Sequence, residues 1–363
     1  MPSTLWSPVK PFSIIYLEDG VRDLPRTGEI LSHFPSAEIL PIRHYKDLFA
    51  PSGQPWLAEK HHPALILAGD HQLPSDADDP ASARIYHGAP VCQNFGNFHF
   101  YYTSLMMNCI YDCEYCYLQG MYPSANVVVF PDLTPVFSRL KFLLQEHPVY
   151  LCISYDTDLL AFEGVTGFIR DFIHFTAEHE NLTVECRTKS ANIGIIRQYL
   201  ADGIQIPDRF IFAWTLSPSV ISARFEHLSP DTDTRIQALL EAIRLGLSVR
   251  ICFDPLLEIP GEADSAAHYR DLIRTTFEAI REAVPDRELS DCLRDVSLGA
   301  FRVTKGHLKN MRQRRPDSLV VQYPYHLENG AYSYPEDIKN GLTRTLLSEI
   351  AHYLPDDRIF AWH

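Results

Sequence analysis

The chain has 363 residues, of which 32 are Lys or Arg and 46 are Asp or Glu, for a formal net charge of −14. With 46% hydrophobic, 12% aromatic and 21% charged residues, it is neither strongly basic nor of disordered or collagen-like composition. No apolar run approaches the ~18 to 20 residues of a membrane helix. The opening MPSTLWSPVKPFS lacks the charged-then-apolar layout of a signal peptide, so a cytoplasmic protein is expected.

In chain order, residues 1–95 read as a small N-terminal α/β segment with strands SIIYLE (13–18) and ALILAG (64–69), and the Pro- and Asp-rich HQLPSDADDPAS (71–82) reads as a linker. Residues 96–316 alternate short apolar or β-branched runs with helix-length amphipathic stretches. The predicted strands are FYYTSLMM (100–107), VYLCIS (149–154), LTVECRT (182–188), RFIFAWTL (209–216), SVRICFDP (248–255) and DVSLGAFRV (295–303). Between them SRLKFLLQEH, GFIRDFIHFTAEHE, IGIIRQYLADG, TRIQALLEAIRLG and YRDLIRTTFEAIREAV place apolar residues at three- and four-residue spacing, which lays one face of each on a sheet. Strands joined by crossover helices run parallel and wind right-handedly. The expected architecture is therefore α/β, an open, TIM-like partial (β/α)6 barrel with function at the strand C-terminal ends. Residues 317–363 add a C-terminal hairpin turning at Asn329-Gly330, followed by a helix, IKNGLTRTLLSEIAHYL.

The eight cysteines stand at 92, 109, 113, 116, 152, 186, 252 and 292. That is sparse for a disulfide scaffold, with one dense cluster of the kind used for metal or redox chemistry in a reducing compartment. Directly after the first barrel strand comes Cys109-Ile-Tyr-Asp-Cys113-Glu-Tyr-Cys116. In a straight helix these thiols would be strung over about 10.5 Å, too linear to converge, so the segment must curl. A curled loop points three thiolates at three irons of a 4Fe-4S cluster and leaves one iron open to a further ligand. The competing readings are three buried small hydrophobes, or a structural zinc for which Cys92 is the nearest fourth ligand. No second CxxC or HxxxH pair supports the zinc.

A CxxxCxxC after the first strand of a partial barrel resembles the radical S-adenosylmethionine superfamily. Within it, the string CEYCYLQG resembles the spore photoproduct lyase family. So do IIYLEDGVRDLPRTGEIL, RTK (187–189), RFIFAWTLSPSVISARFEHLSPDTDTRIQAL, Pro255 at the end of strand five, and FRVTK followed by RQRRP (301–316). The likeness runs from about residue 12 to 353.

The resemblance implies a 4Fe-4S cluster on Cys109, Cys113 and Cys116 and S-adenosylmethionine chelating the open iron. A 5′-deoxyadenosyl radical would then open a methylene-bridged thymine dimer in UV-damaged DNA, after reduction by a donor such as flavodoxin or ferredoxin. It also implies roles for single residues. Tyr115 and Tyr117 would lie near cofactor and lesion, with Tyr117 a radical relay or simply a packing aromatic. Lys189 would pair with the cofactor carboxylate or else be a solvated loop lysine. In SYDTD (154–158), Ser154 and Asp158 would meet the cofactor's amino group, and Asp156 would cap the following turn. Glu226 and Arg235 also match, with a helix-surface ion pair as the alternative.

Two departures stand out. The family's hydrogen-donor cysteine falls on Tyr155. Cys152, three residues earlier in a strand, would face away from it, which leaves the donor open among Tyr155, Tyr117 and Cys152. The family's basic hairpin is replaced by QYPYHLENGAYSYPED, which has no Lys or Arg. A chain of this charge needs a local basic patch to hold phosphates. Arg302, Lys305, Lys309, Arg312, Arg314 and Arg315 are the candidates, against an ordinary solvated helix face. Tyr323, Tyr325, Tyr332 and Tyr334 would stack on extruded bases or form an apolar lid. Three functional readings follow: a DNA repair lyase, a radical enzyme of the same fold acting on another nucleotide or small molecule, and a zinc-bearing interaction protein.

Overall fold

The computed structural model describes residues 12–51, 53, 55–70, 82–89, 92–328 and 330–362. The linker reading of 71–82 and Asn329 of the hairpin turn fall largely outside them. The central sheet holds β4 (Ile85–His87), β5 (Phe100–Thr103), β9 (Val149–Cys152), β10 (Leu182–Thr188), β11 (Phe210–Thr215), β13 (Ser248–Leu256), β14 (Asp295–Ala300) and β18 (Ile359–Ala361). Their order is β18-β14-β13-β11-β10-β9-β5-β4. The six expected strands are all present and pair in parallel. Two three-residue edge strands, too short to carry a periodic signal, extend them: β4 antiparallel to β5 and β18 parallel to β14.

Two predicted strands are broken by a change of sheet. After Thr103 the chain crosses at Ser104 and Leu105, so that β6 (Met106–Met107) joins β1 (Ile14–Glu18), β2 (Glu38–Ile42), β3 (Leu65–Leu67) and β8 (Val127–Val129) in the order β2-β1-β3-β8-β6. At Phe301 the sixth strand likewise ends, and β15 (Arg302–Thr304) pairs with the hairpin of β16 (His326–Glu328) and β17 (Ala331–Ser333). Both breaks lie inside stretches that read as single strands, where alternation marks burial but not the sheet that receives it.

The crossover helices Thr134–Glu146, Phe168–Glu178, Ile193–Ala201, Thr232–Arg244 and Ser265–Ala283 cover the outer face. Asp231 and Asp264 start the last two by accepting the Thr234 and Ala267 amides at 2.8 and 3.0 Å. The final helix, Glu336–Ile350, leads to Tyr353, which stacks on Phe277 at 4.6 Å. Along each strand alternate residues share a face. Val184 and Cys186 therefore lie opposite Glu185 and Arg187, and the second pair faces the barrel interior together with Phe100, Tyr102, Cys152 and Ser154, while at the strand end both Thr188 and Lys189 line the cavity. Among the described residues no helix is long and apolar enough to cross a membrane.

Candidate active site: a thiol-lined cavity at the barrel mouth

The cysteine segment is held in a curl by contacts on every side. Asn108 enters it in the left-handed region (φ +67°), which Asn tolerates better than most residues, and its amide donates to Ser124 and Asn126 carbonyls at 2.8 and 2.7 Å. Asp112 and Cys113 form β7, antiparallel to β12 (Glu226–His227), and the Cys116 amide turns back onto the Cys113 carbonyl at 3.1 Å. Buried Lys60, from the helix Trp56–His61, donates to the Cys109 carbonyl; nothing local in the sequence pointed to it.

A short helix, Leu118–Met121, closes the segment and lies against the helix Lys305–Arg314. A Cβ on Gly120 would come within 2.4 Å of the His307 carbonyl oxygen, so only glycine permits this approach. Asn310 donates to the Gly120 carbonyl at 2.8 Å.

The three thiols line one cavity of about 400 Å³ at the C-terminal ends of the parallel strands. Tyr115, Tyr117, Cys152, Ser154, Tyr155, Asp158, Lys189 and Arg302 line it too, so most of the residues singled out from sequence meet in one place. Cys113 is buried and Cys109 and Cys116 are half-buried. Burial pushes the Cys109 thiol up to about 12 and raises those of Cys113 and Cys116 as well.

Among the described residues no three His, Cys, Asp or Glu side chains converge on a position for a single metal ion. Three thiols lining one cavity offer one sulfur to each of three irons, the donor set of a multi-iron cluster, whose metal charge would displace the thiol protons.

Around the thiols the groups are ordered by buried bonds. Tyr115 donates to Glu226, which also accepts from Arg235 and, at 2.8 Å, from Ser217. Glu226 and Arg235 are almost wholly buried and do not form a helix-surface pair. Burial pushes Glu226 up, but Arg235 and Lys189 more than reverse this and hold it at about 2. The Lys189 ammonium lies 5.4 Å from the Tyr115 ring centre.

Asp158 caps the next helix through the Ala161 amide at 3.2 Å and accepts Thr188 Oγ1 and the Lys189 amide, each at 2.7 Å. Ser154 Oγ accepts the Arg187 amide at 2.6 Å. Asp156 is no turn cap: it is buried against Ser104, and with no cationic partner among the described residues burial pushes its carboxyl up to about 6.

Two expectations are corrected here. Cys152 and Tyr155 both line the cavity, because β9 ends at Cys152 and strand alternation does not extend to Tyr155. The basic segment is not a free patch. Arg315 pairs with buried Asp112 and donates to Gln119 at 2.7 Å. Arg314 donates to the Tyr122 carbonyl at 2.8 Å and lies 4.0 Å from the Trp56 ring. Arg312 donates to the Val321 and Tyr323 carbonyls at 3.1 and 2.7 Å, and Arg302 grips Asp254 at 2.9 and 3.1 Å. Only Lys305 and Lys309 are exposed.

Tyr325 and Tyr334 are buried and pack edge-on at 5.1 Å, with Tyr325 4.8 Å from Phe301. They back the cavity wall and present no face to a base. Missed from sequence were Arg187, Asp254 and His307 on the lining and the place of Cys92 there. Alternation through Glu185, Arg187 and Lys189 was the available signal for the first.

No protein-family model matches the chain, and neither does any curated protein. Solved structures do. Spore photoproduct lyase complexed with dinucleoside spore photoproduct matches over 98% of this chain and 98% of its own, with a TM-score of 0.74 at 18% identity. A spore photoproduct lyase variant with bound AdoMet and dinucleoside spore photoproduct matches over 97% and 99%, with a TM-score of 0.74 at 18% identity. The chain has the fold of spore photoproduct lyase. The spore photoproduct lyase fold extends here through the N-terminal sheet and the C-terminal hairpin and helix, since the match covers nearly all of both chains.

Proposed function

We propose that this chain is a radical S-adenosylmethionine enzyme that repairs spore photoproduct, a methylene-bridged thymine dimer, in DNA. One observation carries the reading: the three thiols share a single cavity with the Lys189 ammonium, the Asp158 carboxylate, and Tyr115 and Tyr117 at the mouth of a partial barrel. Cys109, Cys113 and Cys116 would hold the 4Fe-4S cluster. With S-adenosylmethionine bound, the cluster would supply the electron and the cofactor the carbon radical that open the lesion.

The chain's own residues bind and orient. Lys189 offers a cation to the cofactor carboxylate. Two carboxylate oxygens provide about four acceptor positions; Asp158 uses three within the protein, which leaves one for the cofactor ammonium. Ser154 accepts from Arg187 and keeps its own hydroxyl proton to donate. Arg187 and Arg302, both beside Asp254, present donors to pyrimidine carbonyls or a phosphodiester, while Phe100, Phe301 and Val303 keep the reacting centre apolar. All eight cysteines are free, which fits a reducing cytoplasm and a donor such as flavodoxin or ferredoxin.

A second substrate reading, another nucleotide or a small molecule, is favoured by the internal engagement of Arg312, Arg314 and Arg315. Anaerobic reconstitution tests both. Bound iron and sulfide, reductive cofactor cleavage and release of thymidylyl-thymidine from dinucleoside spore photoproduct are the expected results. Cleavage without repair would favour the second substrate reading, and zinc without iron would remove the radical chemistry altogether.

A further inference from the structure

We infer that Lys60 is the buried counter-charge of the cluster and raises its reduction potential, so that the N-terminal segment tunes the chemistry at the barrel mouth; the inference rests on the radical reading above and adds a residue to it. Lys60 stands in the last turn of the helix Trp56–His61 and is 8% exposed. Its ammonium donates to the Cys109 carbonyl and has no other hydrogen-bond partner among the described residues. A buried ammonium held by a single carbonyl needs negative charge close by. The helix that carries it is tied to the cysteine loop at further points. Glu59, one residue earlier, accepts the Ala125 amide at 2.6 Å and Ser124 Oγ at 3.1 Å. The carbonyls of Ser124 and Asn126 in turn hold Asn108, the residue ahead of Cys109. At the start of the helix the Trp56 ring lies 4.0 Å from the Arg314 guanidinium. Lys60 is thereby fixed in place relative to the thiols.

Two cations flank the cysteine loop. Burial raises all three thiols, and against it Lys60 lowers Cys109 and Cys116 from the N-terminal side while Lys189 lowers Cys113 and Cys116 from the barrel side. Lys189 lines the cavity and Lys60 does not, so Lys60 keeps its place beside the loop whatever the cavity holds. Three thiolates outweigh the positive charge of an oxidised iron–sulfide core. One electron, taken from the low-potential donor, makes the site one charge more negative. A fixed cation beside it therefore favours the reduced form over the oxidised one, and does so most strongly where water is excluded.

The experiment is a potentiometric titration of the anaerobically reconstituted full chain, with the reduced cluster followed by electron paramagnetic resonance beside iron and sulfide analysis. Lys60→Gln keeps a donor for the Cys109 carbonyl and loses the charge. It should retain iron and lower the ratio of reduced to oxidised cluster at a fixed potential about tenfold, a shift of about 59 mV for one electron. Lys60→Arg should restore the wild-type potential. Iron lost from Lys60→Gln but kept by Lys60→Arg would support the counter-charge role as well. An unchanged potential in Lys60→Gln would show that the hydrogen bond alone matters and would overturn the inference, as would loss of the cluster from both variants, the mark of a packing role. Either result leaves the lyase reading intact. Zinc without iron in the wild type would overturn the radical reading itself, and the tuning role with it.

Discussion

At the floor of the barrel the buried charges close on one another, whereas at its mouth similar buried bonds surround an open cavity lined by thiols. On the floor Arg250 bonds Asp295 and Glu185, donates to Tyr150 at 2.6 Å and carries the Phe95 ring 3.4 Å from its guanidinium. Tyr150 in turn donates to Glu185 at 2.6 Å. Burial pushes Glu185 up, but Arg187 and Arg250 outweigh it and hold the carboxyl below its usual range. At the mouth the three thiols line a cavity of about 400 Å³, and among the described residues the buried Thr157 hydroxyl beside it has no partner. A closed polar network fixes the spacing of strands and binds nothing. An open one above it, held by that spacing, is free to bind.

The comparison breaks most visibly at the mouth. Cys109→Ala, Cys113→Ala and Cys116→Ala should each lower iron content and take reductive cofactor cleavage to background without a comparable loss of folding stability. Cys292→Ala, on the short helix Leu289–Cys292 outside the cavity, should do neither. Iron analysis and chromatography of the cleaved cofactor check this.

On the floor the effect is on folding. Arg250→Met takes the bidentate counter-charge from buried Asp295 and leaves Glu185 with Arg187 alone, and urea denaturation should show a loss of about 3 to 5 kcal/mol.

Asp156 sharpens the contrast because it is a buried carboxylate with no arginine partner among the described residues. Its carboxyl, pushed up to about 6, contributes stability that is full below the unfolded value of 3.8 and is lost as pH rises through about 6. Asp156→Asn should therefore gain on wild type between pH 4 and 7, by up to about 3 kcal/mol, in thermal or urea unfolding across that window.

The smallest effect concerns DNA. Lys305→Ala and Lys309→Ala should each lower the slope of log affinity against log salt by about 1, read by titration of an oligonucleotide at several salt concentrations. Arg315→Ala should instead destabilise the cysteine loop, because its partner is Asp112.

Much was legible in the chain itself. The six parallel strands and their crossover helices follow from local periodicity, since alternation and three- or four-residue spacing record which face is apolar. The curl at Cys109 to Cys116 follows from spacing alone, because three thiols along a straight helix cannot share a centre. The inward set Glu185, Arg187 and Lys189 was readable from the same alternation.

The tertiary structure decided what those faces meet. It moved Met106–Met107 to the N-terminal sheet and brought β18 to the barrel edge. It turned Arg315 from a phosphate contact into the partner of a residue 203 positions away, and set Cys92 against Tyr155 across 63 positions. The physical reason is range: a residue's side of a strand or helix is set by its near neighbours. The charge or thiol it finally touches is set by where distant segments cross, and no local pattern records that crossing.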